Sequence, residues 1–226
     1  MTSTTTPDAA LRDLADRHGI ALMCDSQAAL PPALRTLHRD VVTAFVDTGR
    51  APTTDWVAER AVDLDLGVDD ALETLAAADL VHTDEGRVTV AYPFSGSPTP
   101  HVVRLDDGPA TWAMCAGDAL GIPLMTGRDA TITSSDAQTG EAIRIRCEDG
   151  AWSWDPAASV LLVAATSGCS TAAEAACRYI HFFAGPEQAE AYLGSNPALE
   201  GEIFDQATSV EIGGLVFGSL LAEGMR

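Results

Sequence analysis

The chain of 226 residues is 46% hydrophobic and 20% charged, a globular composition long enough for one large domain or two small ones. Its 33 acidic residues outweigh 13 basic ones to a formal charge of −20, which disfavours binding to the phosphate backbone of nucleic acids. All 13 basic residues are arginine, so lysine Schiff-base chemistry and a Walker A lysine are excluded.

Residues 1–30 read as a weakly structured lead-in with a short helix around Ala9–Arg17. The first residues have neither a basic n-region nor an apolar h-region, so no secretory signal is expected and the expected location is cytoplasmic. The longest apolar run, Ala157 to Ala165, is interrupted by Ser159 and is too short to span a bilayer. From Pro31, Leu34, Leu37, Val41, Val42 and Phe45 recur at helical spacing up to Gly49. Pro52-Thr53-Thr54 caps a second helix carrying Trp56, Val57 and Ala61, and Gly67 precedes a third over Val68–Ala78. Leu80-Val81-His82 and Arg87–Val90, joined at Asp84-Glu85-Gly86, then make a hairpin. Three helices and a hairpin over residues 31–92 outline a winged-helix-like domain. The stretch Val62–Asp70 leading into the third helix carries four acids and no base, so DNA reading is not expected of it.

Residues 93–100, Pro- and Ser-rich, read as a linker, and residues 101–226 as an α+β catalytic domain. In it, His101–Leu105 reads as a strand and Trp112–Leu120 as a helix ended by Gly121-Ile122-Pro123. Ala130–Thr133 and Ala142–Arg146 alternate like a hairpin, and Trp152 and Trp154 pack on one face of a strand. Val160–Ala165 is a buried strand, Arg178–Phe183 another, Pro186–Leu193 a helix, and Ile212–Ala222 an apolar helix. The fold expected is α+β, a mixed or antiparallel sheet with flanking helices behind the three-helix module.

The five cysteines, Cys24, Cys115, Cys147, Cys169 and Cys177, are scattered, odd in number and without a C-x-x-C pair, so they are not a disulfide framework. Most are expected to be small buried apolar residues, and Cys24, Cys147 and Cys169 receive no role. Cys115-Ala116-Gly117-Asp118 differs, because a thiol and a carboxylate three residues apart share one helix face and can exchange a proton. His181, in an apolar strand, reads as a hydrogen-bonded core histidine.

Trp112–Leu120 followed by Gly127-Arg128 resembles the signature segment of the organomercurial (alkylmercury) lyases. The resemblance extends through Pro98–Val102, Ser134–Gly140, Cys177–Ala184, Gly201-Glu202 and Glu211–Gly213, from about residue 35 to 220. It implies an enzyme that breaks carbon–mercury bonds by protonolysis, with Cys115 and Cys177 as thiolates on mercury and Asp118 as proton donor. Soft thiolates suit a soft cation, and the departing carbon needs a general acid. The resemblance also implies no organic cofactor, small external thiols that remove Hg(II), and a mercuric reductase downstream. Three positions depart from the family pattern: Met114 where an aromatic residue is common, Asp136 where some members have a further cysteine, and Arg178 where some have an adjacent thiol.

Three other readings stand beside this one. The scaffold acts on another organometal or a carbon–heteroatom bond. Cys115, Asp118, Cys177 and His181 form a zinc-type module, against which Cys177 and His181 on a single strand would lie about 13 Å apart. A winged helix is coupled to a thiol sensor, with the acidic third helix as its weak point.

Overall fold

The computed structural model describes residues 22–165 and 177–222, together with 9, 12, 13 and 16. Most of the helix expected around Ala9–Arg17 lies outside the described residues, as does Cys169. Part of the expected lead-in is a helix, α1 (Met23–Ala29), whose Met23 and Gln27, one turn apart, are buried. It was illegible because its partner is at the other end of the chain. The Cys24 thiol donates to the Val216 carbonyl at 2.6 Å and accepts from the Ser219 hydroxyl at 3.1 Å.

The next three helices follow the sequence periodicity. In α2 (Pro32–Thr48) the recurrent apolar residues are buried, and Gly49, at φ 68°, ends it. A side chain on Gly49 would also strike the Ala110 carbonyl. Thr53 caps α3 (Thr54–Asp63) by accepting from the Trp56 amide, and α4 (Val68–Ala77) follows Gly67. Asp63, Asp65, Asp69 and Asp70 around its start are all exposed. Strands β1 (Val81–Asp84) and β2 (Arg87–Ala91) then pair antiparallel.

The segment 93–100, expected as a linker, contains strand β3 (Phe94–Ser95), which pairs with β2 on one side and β5 (Ala110–Ala113) on the other. Composition marked its Pro and Ser residues, but Phe94 is fully buried and its ring stacks on Phe45 of α2 at 5.1 Å. The sheet therefore runs without a break from the hairpin into the C-terminal half. With β4 (Val102–Leu105), β6 (Ala130–Ser135), β7 (Ala142–Glu148) and β8 (Ala151–Asp155) it has, among the described residues, eight strands in the order β1-β2-β3-β5-β4-β6-β7-β8. Every neighbouring pair in it is antiparallel, as they are in a second sheet, β10-β9-β11. There β9 (Val160–Ala165), buried along its whole length, lies between β10 (His181–Phe183) and β11 (Glu200–Phe204). The fold is α+β.

Three expectations shift in position. Residues 112–113 are drawn into β5 by two strand partners, so the helix expected over Trp112–Leu120 is α5 (Ala116–Thr126). It runs through Gly121 and Pro123 because it is buried on almost every side, and tertiary packing outweighs their local propensity. Gly121 faces Phe217 of α7 (Gln206–Phe217), and a Cβ there would overlap the ring. The expected strand Arg178–Phe183 begins as a 3₁₀ turn, Cys177–Tyr179, and only its second half is extended. The C-terminal helix starts earlier than Ile212, at the Asp205 cap, whose carboxylate accepts from the Thr208 amide at 2.8 Å. α6 (Pro186–Ser195) is as expected from its initial proline. Among the described residues no helix is long and apolar enough to cross a membrane.

Candidate active site

Cys115 is the N-cap of α5, and its sulfur accepts the Asp118 amide at 3.4 Å. That places the thiol at the positive end of a helix dipole, with the Asp118 side chain one turn on. The residue before it is fixed by the strand in the supposed linker, since the Met114 amide donates to the Pro93 carbonyl at 3.0 Å. Cys177 comes from 62 residues further along and is brought close in part by a main-chain splice: the Ala116 amide donates to the Ile180 carbonyl at 3.2 Å. This bond fastens the start of α5 to the strand entered from the 3₁₀ turn.

The result is a cluster in which one ligand atom from each of Cys115, Asp118 and Cys177 lies within 4.8 Å of the others. It is the only such three-residue group among the described residues. The Cys177 thiol points at Asp118 Oδ2 at 3.7 Å. Cys115 is 2% exposed and Asp118 3%, while Cys177 is partly buried.

Burial is the largest influence on the acidity of Asp118 and Cys115, and for Cys177 it comes second to a hydrogen bond. It pushes the Asp118 carboxyl from 3.8 to about 7, despite the two thiols hydrogen-bonded beside it. Burial, the Cys177 thiol and the Asp118 carboxylate together push Cys115 well above 9.0. For Cys177 the hydrogen bond with Cys115 pulls down, but burial and Asp118 prevail and its thiol also rises. In the resting site the two thiols therefore hold their protons, and the Asp118 carboxyl stands near its midpoint at neutral pH. A soft cation that displaces the thiol protons gains two thiolates at once and leaves a proton beside Asp118.

His181 is outside the cluster. Its ring lies edge-on to Tyr192 at 5.7 Å and burial lowers its basicity, but it is half-buried and not part of the core, and it does not join the clustered residues as a four-ligand zinc module would require. The reason differs from the one expected, because Cys177 is in a turn and not on the histidine's strand. Cys147 ends β7 as a buried thiol, and Cys24 serves the α1–α7 contact. Trp154 packs edge-to-face on Phe182 at 5.6 Å.

Two supporting residues were not recognisable as such in the sequence. The buried Asp136 carboxylate accepts the amides of Gln138 and Thr139 at 2.8 and 2.7 Å and, across the sheets, that of Ala184 at 2.8 Å. Burial opposes its charge, but these amides outweigh that effect and hold the carboxyl below 3.8. His101 bonds Ser134 through Nδ1 at 2.9 Å and lies edge-on to Phe182, with burial taking its pKa to about 3. The local signal for Asp136 is an Asx-type turn before Gly140, whereas its bond to Ala184 is entirely long-range.

Comparison with known proteins places this site in context. The model of the alkylmercury lyase family matches residues 94–218, which include all three clustered residues. An alkylmercury lyase of Staphylococcus epidermidis is 29% identical over 182 residues, covering 80% of this chain and 81% of that protein. One of Streptomyces lividans is 32% identical over 151 residues, covering 66% and 68%. The crystal structure of the mercury-bound form of MerB2 shares the fold, with a TM-score of 0.73 at 21% identity over 94% of this chain and 98% of that one.

Proposed function

Since the chain belongs to the alkylmercury lyase family, we propose that it cleaves the carbon–mercury bond of organomercurials by protonolysis at Cys115, Asp118 and Cys177. The observation that carries this reading is the convergence of two sulfurs and a carboxylate within 4.8 Å. With metal–thiolate bonds of about 2.3 Å, one two-coordinate ion spans about 4.6 Å, so both sulfurs reach it. Cys115, braced by the helix N-terminus, takes R–Hg⁺ as its thiolate and releases its proton to solvent. Cys177 then bonds the metal and passes its proton to the Asp118 carboxylate that it already faces. Asp118, now a carboxylic acid, delivers that proton to the carbon as the carbon–mercury electron pair leaves with it. The products are R–H and Hg(II) held by two sulfurs. A carboxyl poised at about 7 suits the role, because it both accepts and releases a proton near neutrality.

Small external thiols complete the turnover by exchanging onto the ion, and a mercuric reductase is the recipient in a cytoplasmic setting. The test is headspace gas chromatography of the protein with phenylmercury and excess thiol, beside Cys115→Ser. Benzene released over many turnovers by the wild type alone is the expected result. No benzene from folded, reduced protein would overturn the reading and redirect attention to other organometals.

A further inference from the structure

We infer that His181 is a positioning residue: set between two aromatic rings on a paired strand, it holds the backbone of the turn that presents the Cys177 sulfur to Asp118. Its kinetic consequence rests on the lyase reading, whereas the placement itself is testable without turnover.

The turn needs a hold from outside. Cys177–Tyr179 is a single 3₁₀ turn, and its closing bond, from the Ile180 amide to the Cys177 carbonyl, is 3.5 Å long. Amide-to-carbonyl bonds normally span about 2.7–3.2 Å, so this one fixes the turn weakly. The Ala116 amide pins the far end, at the Ile180 carbonyl. His181 adds a hold nearer to Cys177. Its main chain is paired with Leu162 of the buried strand β9. Its ring stands edge-on to Tyr192 of α6 at 5.7 Å and to Phe183 at 6.4 Å. From that seat the ring donates a hydrogen bond to the backbone carbonyl of Arg178, the residue after Cys177.

This bond also says what His181 does not do. Burial lowers the basicity of the ring, so near neutrality it is uncharged and carries one N–H, which is committed to the carbonyl. The ring lies outside the group of sulfur and carboxyl atoms that meet within 4.8 Å. It therefore places a reacting group and does not itself react. Cys177 is the member of the cluster that needs placing. Cys115 caps α5 and Asp118 lies in its first turn, so one helix seats both. Cys177 enters from the turn, and its thiol reaches Asp118 Oδ2 at 3.7 Å. Two metal–sulfur bonds of about 2.3 Å leave little slack, and a displacement of about 1 Å costs about a hundredfold in rate.

His181→Phe keeps an aromatic ring and removes the N–H, whereas His181→Gln keeps a donor. His181→Phe is expected to lose at least tenfold in kcat toward phenylmercury with KM within threefold, because capture by Cys115 precedes the step that needs Cys177. His181→Gln is expected to stay within threefold of the wild type in both. The second readout needs no carbon–mercury cleavage. Each protein is loaded with one equivalent of mercuric chloride and challenged with 2-mercaptoethanol, and the metal retained is measured over time, with Cys177→Ser as the one-sulfur reference. His181→Phe is expected to lose Hg(II) at least tenfold faster than the wild type, approaching that reference, and His181→Gln is expected to retain it. Wild-type retention by His181→Phe, or equal losses in the two variants, would overturn the inference. If the wild type releases no benzene, the lyase reading falls, and the retention of Hg(II) still decides the role of His181.

Discussion

Replacing Asp118 by asparagine probes stability and chemistry together. The side chain keeps its size, but it can no longer titrate. The wild-type carboxyl has an ordinary value of 3.8 and a folded-state value of about 7, raised by burial. Between those two values the folded protein holds a proton that the unfolded chain has lost. Stability from this group is thus full below about 3.8 and falls as pH rises toward 7, by about 1.4 kcal/mol per pH unit and about 4 kcal/mol in all. Asp118→Asn removes that slope. Urea unfolding at pH 5.5 and pH 8 should therefore show the wild type losing about 2 kcal/mol relative to the variant over this range. A difference that stays constant between the two pH values would refute the buried, proton-holding carboxyl. It would also undermine Asp118 as the acid that reaches carbon. The same variant should bind mercury stoichiometrically yet release no hydrocarbon.

Cys115→Ser and Cys177→Ser should each cut turnover about a thousandfold or more in the benzene assay, with midpoint temperatures near the wild type. Asp136→Ala should cost about 3 kcal/mol in chemical denaturation, since it strands three amides that bond its buried carboxylate. Because that carboxyl is held below 3.8, its contribution is present above about pH 4 and is lost as pH falls through the lowered value. Gly121→Ala should destabilise by about 1–3 kcal/mol through the clash with Phe217, measured by urea titration, whereas Gly213→Ala, which meets Leu120 at 3.1 Å, should cost less.

The legible parts of the fold are those set by short-range physics. Leu34, Leu37, Val41, Val42 and Phe45 lie on one helical face, and they bury one face of α2. Thr53 offers a hydroxyl to the next turn, and α3 starts there. Alternation in Ala142–Arg146 gives β7. The misplaced boundaries are those where distant pairing prevails. Trp112 and Ala113 have helix-compatible neighbours but are claimed by β3 and β4. Phe94 lies in a segment whose composition says linker, yet its ring is seated on Phe45. Strand β11 carries no pattern strong enough to announce it, and it exists because β9 has a free edge.

The sequence by itself determined the acidic, lysine-free character of the chain and the helical module. It also set Cys115 and Asp118 three residues apart, and family likeness pointed to Cys177. These follow from residue type and local spacing. Only the tertiary structure decided that Cys115 caps α5, that Cys177 leaves a turn and not a strand, and that the Asp118 carboxyl is raised to about 7. Each depends on contacts across long stretches of chain: the Ala116–Ile180 splice, the Asp136–Ala184 bond and the burial of the Asp118 carboxyl beside Cys177. An acid's proton affinity is set by the dielectric and the charges around it, and a linear sequence does not contain that surrounding until the chain has folded.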